Sequence, residues 1–212
     1  MKTKLLFIMA MFISQHLFSQ EIFFRVGKNF TQYNYKNSLG KTVSGLEGSS
    51  GSNYELGFEY FLDNASSSLE SRYSYSASLI LNQFNAKAGN VNNTYVWNTN
   101  YLGIQNMAYA SVLMSPNSMY NLKVKAGVNT STIVSGQQYI NNVVYNLKNY
   151  NEFKGIVVQP LIGLDFRLEV SRELSMNIGY MFSKAFNVSN KSSEELSFTN
   201  NQIQLGLQYT LY

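Results

Sequence analysis

Hydrophobic and polar side chains alternate along most of this 212-residue chain with a period of two. That period is typical of a β-strand, because successive side chains of a strand point to opposite faces. In residues 54–62, tyrosine, leucine and phenylalanine occupy every even position, and glutamate and glycine occupy most odd ones. Residues 202–211 repeat the pattern with aliphatic and tyrosine side chains against glutamine, glycine and threonine. The pattern predicts amphipathic strands, with one face for hydrocarbon and the other for water.

Eight such segments are separated by stretches rich in glycine, serine and asparagine, and no linker divides them into domains. The segments span residues 21–35, 52–62, 70–85, 96–114, 120–134, 156–170, 174–186 and 198–212. Short connections lie near residues 63–69, 115–119 and 171–173, and they alternate with long ones at 36–51, 86–95, 135–154 and 187–197. Outer-membrane barrels have short periplasmic turns and long extracellular loops. We therefore predict an all-β, up-and-down antiparallel transmembrane β-barrel of eight strands, with both termini in the periplasm.

Two segments leave details of the barrel open. The fourth segment has apolar residues on both parities, and we assign its even positions, such as Leu102 and Ile104, to the lipid side. Pro160 cannot donate a ladder hydrogen bond, so its strand either begins near that residue or carries a bulge.

The first 20 residues are predicted to be a signal peptide. Lys2 and Lys4 precede an apolar stretch over residues 5–13, and the small residue Ser19 follows shortly before the first alternating segment. Cleavage after Ser19 and cleavage after Gln20 both fit, and the outer-membrane β-barrel domain then spans residues 21–212. No later run approaches the roughly 20 apolar residues that a spanning helix needs.

Composition narrows the class of protein. Charged residues make up 13% of the chain, whereas an ordinary soluble domain has about 25%. Sixteen tyrosines and fourteen phenylalanines suit the aromatic girdles of a membrane barrel. The formal net charge is +4, and the two leader lysines contribute two of those charges, so the mature chain is close to neutral. No basic stretch is long enough to track phosphates, so nucleic acid is not an expected partner. Because cysteine is absent, a disulfide scaffold is excluded.

The inward parity of the strands carries a balanced set of charges. Its members are Arg25, Glu55, Glu59, Lys123, Lys125, Asp165, Arg167 and Glu169. Four are cations and four are anions, and opposite signs fall on neighbouring strands, where cross-strand pairs form. Because an unpaired buried charge is costly, we predict a lumenal ion-pair network in the periplasmic half of the barrel. The lumen of an eight-stranded barrel is narrow enough for side chains to fill it.

Candidate chemistry is sparse. The one histidine, His16, lies in the leader, so the mature chain has neither histidine nor cysteine. The commonest general base, metal ligand and thiol nucleophile are therefore missing. Glu55 and Glu59 lie on one strand face with only Gly57 between them, and ion pairing explains them better than general acid–base catalysis does. We predict no catalytic, cofactor-binding or metal-binding residues.

The third long connection combines aromatic and asparagine residues. Tyr139, Tyr145, Tyr150 and Phe153 are its candidate residues for a partner or ligand patch. The alternative is a hairpin over residues 139–145 that extends the barrel around two adjacent asparagines. The sequence leaves both interpretations open.

The final strand carries a polar-x-Gly-x-x-hydrophobic-x-hydrophobic pattern. It consists of Gln204, Gly206, Tyr209 and Leu211 and is followed by Tyr212. This segment resembles the signal read by the outer-membrane insertion machinery. With the leader and the stretches YLGI at 101–104 and LKVKAG at 122–127, the chain resembles the small outer-membrane β-barrel domain family widespread in Bacteroidota, whose members are porin-like eight-stranded barrels.

The resemblance covers essentially the whole mature chain and departs from the family pattern at Gly103, where relatives usually have an acidic residue. It implies an eight-stranded outer-membrane barrel and supplies no catalytic residues.

Together these observations predict a small integral protein of the Gram-negative outer membrane with a side-chain-filled polar lumen. Its expected role is structural or interactive, through its extracellular loops. Expected partners are outer-membrane lipid, the insertion machinery during biogenesis, and a larger outer-membrane complex or an extracellular ligand. A soluble lipocalin-like carrier of an apolar ligand would have the reverse arrangement, with apolar residues inside. A narrow channel for small solutes is the other alternative.

Overall fold

The computed structural model describes residues 20–211 except 38, 43–44, 64, 91–92, 116, 118, 142, 151 and 190–194. The predicted signal peptide, apart from Gln20, lies outside these residues. Within them the strands are β1 (Gln20–Lys36), β2 (Leu46–Phe61), β3 (Tyr73–Asn90), β4 (Asn93–Met114), β5 (Tyr120–Ile140), β6 (Val143–Asn146), β7 (Ile156–Glu169), β8 (Leu174–Asn187) and β9 (Glu195–Leu211). A 3-10 turn, Leu147–Asn149, follows β6. No helix in this part of the chain is long and apolar enough to cross a bilayer.

Eight of the described strands close into one antiparallel barrel. Each strand pairs with its neighbours in chain order, β5 pairs with β7, and β1 pairs with β9 to complete the ring. The short β6 stands outside the ring as a hairpin on β5, with Ile140 opposite Val143 and Asn141 in a left-handed conformation at the turn. The predicted up-and-down eight-stranded barrel is confirmed, and β6 corresponds to the hairpin that the sequence left open.

The outer surface of the barrel is apolar over its central belt. Leu56, Ile104, Ile162 and Leu205 are among the exposed large hydrophobic residues. On β4 the even positions face outward, as we assigned them, and Tyr101, Met107 and Tyr109 are buried inside. The alternation of inward and outward side chains on β4 changes only at a bulge between Ser111 and Leu113, which leaves both Val112 and Leu113 exposed. An apolar exterior with charged and amide side chains inside is the reverse of a lipocalin-like carrier.

Two connections differ from the sequence prediction. The predicted long loop at 86–95 is a tight hairpin, because the ladder of β3 and β4 continues through Ala88 and Tyr95 to Asn90 and Asn93. The predicted strand over 70–85 begins only at Tyr73. The residues before it, 62–72, form the longest connection at the end of the barrel that carries the termini.

Pro160 behaves as neither predicted alternative. Its strand begins four residues earlier, at Ile156, and the register with β8 is the same on both sides of it. The ladder to β8 is instead interrupted between Val158 and Leu161. The missing N–H thus costs ladder pairs without bending the strand into a bulge.

Candidate functional site

The lumen at the end of the barrel that carries the termini contains a cluster of buried charges. We use the name charged cluster for Arg25, Glu55, Glu59, Lys123, Lys125, Asp165 and Arg167, all of which are almost fully buried. They come from β1, β2, β5 and β7, where the alternation of the strands points them inward. The structure brings together seven of the eight residues predicted for a lumenal network.

Arg167 is the centre of the charged cluster. Its guanidinium donates to both carboxylate oxygens of Glu59, at 2.8 and 2.9 Å, and through Nε to Asp165 at 2.7 Å. Lys125 donates to the other oxygen of Asp165 at 3.2 Å, and Asn177 donates to that same oxygen at 2.8 Å. Two-point contacts between a guanidinium and a carboxylate are among the strongest charged interactions in proteins and fix the geometry of both groups.

Arg25 links Glu55 and Glu59 of β2. Its guanidinium nitrogens lie 3.7 Å from Glu55 and 3.8 Å from Glu59, and its Nη1 donates to the hydroxyl of Tyr109 at 3.0 Å. The guanidinium carbon also lies 3.8 Å from the centre of the Phe23 ring. An aromatic face compensates part of the lost hydration of a cation.

The remaining carboxylate contacts come from neutral side chains. Glu55 accepts hydrogen bonds from Ser78 at 2.7 Å, Gln105 at 2.9 Å and Gln204 at 3.0 Å. Glu59 accepts from Ser74 and lies 3.7 Å from the ammonium of Lys123. Both glutamates are thus enclosed by donors and closed off from solvent. This arrangement suits a rigid plug and leaves no open face where a substrate could meet the two carboxylates.

Glu169 does not join the charged cluster. It is the last residue of β7, and its side chain is exposed at the rim of the barrel. Its place in the balance of charges is taken by Glu21, which the sequence analysis missed although it shares the inward parity of Arg25. Glu21 is buried and accepts hydrogen bonds from the backbone N–H of Ser68 at 2.9 Å and from Thr210 at 3.1 Å.

Residues 62–72 cover this end of the lumen. Ser68, Leu69 and Ser71 are buried, and the side-chain amide of Asn121 donates to the carbonyl oxygens of Ser68 and Leu69 at 3.4 and 2.9 Å. The connection that the sequence predicted as a short turn therefore folds over the charged cluster as a cap.

A layer of amides lies above the charged cluster. Asn29 donates to Asn82 at 3.2 Å and accepts from Asn53 at 3.1 Å, and Gln159 accepts from Asn129 at 3.1 Å. These side chains are buried in the middle of the lumen. The charged cluster and the amide layer thus occupy two successive levels of the lumen.

The opposite end of the lumen is aromatic. Tyr33, Phe84, Tyr101 and Phe198 are buried there, and the ring centres of Phe84 and Phe198 are 4.7 Å apart. Above these rings is a cavity of about 610 Å³, which we call the aromatic cup. It is lined by Tyr33, Tyr35, Leu46, Ala88, Tyr95, Trp97, Gln138, Leu147, Tyr150, Glu152, Phe153 and Leu196. The sequence analysis predicts aromatic girdles on the outside and no aromatic cluster inside the lumen.

The four residues predicted as a loop patch separate in the structure. Tyr139 and Tyr145 belong to the β5–β6 hairpin, whose residues Val143 and Val144 are exposed. Tyr150 is 45% exposed and lines the aromatic cup. Phe153 is buried against Tyr33 and also lines the aromatic cup. It is needed to pack the aromatic end of the lumen.

The residues of the predicted insertion signal lie on both faces of β9. Gln204 and Gly206 face the lumen, whereas Tyr209 is exposed and its hydroxyl donates to Glu173 at 2.9 Å. Leu211 ends the strand, and Tyr212 lies outside the described residues.

Comparisons with known proteins place the fold. No family model matches the chain, and no curated protein matches it. The outer membrane protein OprG from Pseudomonas aeruginosa is similar in structure, with a TM-score of 0.53 and 12% identity over 93% of this chain and 99% of that one. Neisserial surface protein A is also similar, with a TM-score of 0.41 and 12% identity over 89% of this chain and 97% of that one. The chain has the fold of small outer-membrane β-barrels.

Proposed function

We propose that this protein is a small integral barrel of the outer membrane of a Gram-negative bacterium, of the Bacteroidota type, that acts as a structural or interaction component. Its termini face the periplasm, and the hairpin β5–β6 and the aromatic end face the outside. It has no catalytic role and does not conduct solutes.

The observation that carries the proposal is the contrast between a filled lumen and a protruding hairpin. A charged cluster and an amide layer occupy the lumen, which supports a plugged barrel rather than a pore. Val143, Val144 and Tyr145 are exposed on β6, which pairs with β5 beyond the point where the ladder of β5 and β7 ends. Exposed apolar residues grouped together favour a contact with another macromolecule.

The proposed orientation rests on the lengths of the connections. The connections 37–45 and 141–155 lie at the end opposite the termini, and the turns 115–119 and 170–173 lie at the termini. Outer-membrane barrels keep their short turns in the periplasm. A peptide epitope inserted after Asn141 should be stained on intact cells, whereas one inserted after Ser171 should be stained only after permeabilisation. The reverse result would overturn the orientation.

Two measurements test the role itself. Planar bilayers that contain the purified protein should show no large, stable conductance steps, and such steps would overturn the plugged barrel.

Envelopes solubilised in mild detergent should yield a co-purifying protein that is lost from the triple variant Val143→Ser, Val144→Ser, Tyr145→Ser. Val188→Ser is the control, since Val188 is exposed in another connection at the same end of the barrel. Equal recovery of the co-purifying protein with wild type, the triple variant and the control would show that the hairpin does not contact it.

A further inference from the structure

The aromatic cup has the size and shape of a ligand site. Its volume of about 610 Å³ lies within the range of roughly 300–1,000 Å³ that is typical of small-molecule pockets. It opens at the end of the lumen opposite the termini, between the walls of β1, β2, β3, β4 and β9 and the segment that follows β6.

The floor and walls of the cup are held in place by their own contacts. The Tyr33 hydroxyl, at the floor, donates to the backbone oxygen of Phe84 at 3.1 Å and is hydrogen-bonded to Thr99. On the wall, the rings of Tyr95 and Trp97 are stacked at 18° with their centres 6.2 Å apart. A ligand therefore meets a preformed surface, and little conformational entropy is lost when it binds.

The lining selects by chemistry. Six of its residues are aromatic, four are aliphatic, and the two others are Gln138 and Glu152. The described lining residues include one carboxylate, that of Glu152, and no lysine or arginine. Aromatic walls favour flat apolar molecules. An anion would lose its hydration there without meeting a cation among the described lining residues.

We propose that the aromatic cup binds small, neutral, aromatic or polycyclic molecules at the outer end of the barrel. The amide layer and the charged cluster lie directly behind the floor, so the site captures its ligand without passing it through the lumen. This activity goes beyond the interaction role of the hairpin, and it is independent of which partner the hairpin contacts.

Trp97 makes the proposal directly measurable, because it is the one tryptophan of the chain and lines the cup. The probe is N-phenyl-1-naphthylamine, which is neutral and quenches tryptophan by energy transfer. Its matched anion, 1-anilinonaphthalene-8-sulfonate, adds a sulfonate to the same ring system. In lipid nanodiscs the neutral probe should quench Trp97 saturably at one probe per barrel, and the anion should bind at least about tenfold more weakly.

Two variants separate binding in the cup from partition into lipid. Ala88→Phe places a ring inside the cavity and should weaken binding of the neutral probe at least about tenfold, whereas Ala126→Phe, on the lipid face, should leave it unchanged. Folding of each variant is checked by its heat-dependent shift in gel mobility. If Ala88→Phe does not fold, Leu46→Asn alters the lining at the half-buried edge of the cup without added bulk and should also weaken binding.

Quenching that never saturates, or that is equal in wild type and the cup variants, would overturn the proposal. Displacement of the probe by a saturated fatty acid at equal concentration would also overturn it, because the cup would then hold an acyl chain.

Discussion

Arg167 and Glu59 meet across the lumen from opposite walls of the barrel, and the guanidinium donates one hydrogen bond to each carboxylate oxygen. Glu59 lies on β2 and Arg167 on β7, and three strands of the ring separate these two on either side. The pair therefore ties together two walls that share no backbone hydrogen bonds. Closure of the ring comes from the strand ladders, and this side-chain pair braces it from within.

Removal of Arg167 tests this brace. Arg167→Met takes away two hydrogen bonds from Glu59 and one from Asp165. With Glu21 counted, it leaves four buried carboxylates and three buried cations at this end of the lumen. We expect the free energy of unfolding to fall by about 3–5 kcal/mol, as is typical when one partner of a buried ion pair is lost. Urea unfolding in lipid vesicles, followed by tryptophan emission and by gel mobility, measures it. Lys184→Met is the control, since Lys184 is exposed on β8, and a loss of equal size there would contradict the brace.

A second comparison separates two glutamates that the sequence placed in the same network. Glu59→Gln removes the charge that Arg167 and Lys123 contact, and we expect a loss of about 3 kcal/mol or more. Glu169→Gln changes an exposed side chain at the rim, so its effect should stay within about 0.5 kcal/mol. If the same urea titration shows similar losses in the free energy of unfolding for the two variants, Glu169 is part of the ion-pair network.

Glu169 and Glu21 show how far the sequence determines which side chains are buried in the lumen. Parity along a strand predicts the side of a residue, and all seven members of the charged cluster lie on the inward parity. Parity does not give depth, because depth depends on where each strand ends relative to its neighbours. Strand β7 ends at Glu169, whereas the cap formed by residues 62–72 extends over Glu21. Glu169 is therefore exposed, and Glu21 is buried.

Aromatic residues mark another limit of sequence reasoning. Tyrosine and phenylalanine suit both a lipid girdle and a packed lumen, so residue type alone does not decide between the two faces. Phe84 and Phe198 were predictable as inward only from the phase of their strands. Their contact depends on the register of β3 and β9, which are not adjacent in the ring. The hairpin of β3 and β4 was not predicted either, because the asparagine-rich composition of residues 86–95 is typical of a loop.

The charged cluster also depends on a position without a side chain. A β-carbon at Gly179 would lie 2.7 Å from the ammonium nitrogen of Lys125 and 2.9 Å from a carboxylate oxygen of Asp165. Gly179→Ala should therefore push this ion pair apart and lower the free energy of unfolding by about 1–3 kcal/mol. Gly48→Ala is the matched control, because Gly48 is exposed and its closest contact would be a backbone oxygen at 3.1 Å. Urea titrations of the two variants should differ clearly, and equal midpoints would mean that the cluster has room for a methyl group.

The cap over the charged cluster is fastened by Asp63. Its carboxylate accepts hydrogen bonds from the Ser71 hydroxyl at 2.7 Å and from the backbone N–H of Arg72 at 2.5 Å. Partial burial acts to raise the pKa of Asp63, but these hydrogen bonds favour the ionised form and outweigh it, so the pKa lies below its usual value. A carboxyl of this kind stabilises the fold above its unfolded pKa, and the contribution is lost as the pH falls through the folded pKa.

We therefore expect the cap to loosen in acid before the barrel does. Protection factors for amide hydrogen exchange at Ser71 and Arg72 should fall as the pH drops below about 4, whereas those of the strand interiors should hold. Asp63→Asn should lower protection of the cap at neutral pH by an amount equivalent to about 1 kcal/mol and should abolish its further loss in acid. Glu47→Gln, an exposed carboxyl on β2 near the other end of the barrel, is the control and should retain the wild-type acid response. An Asp63→Asn cap that loosens in acid as the wild type does would show that another group controls it.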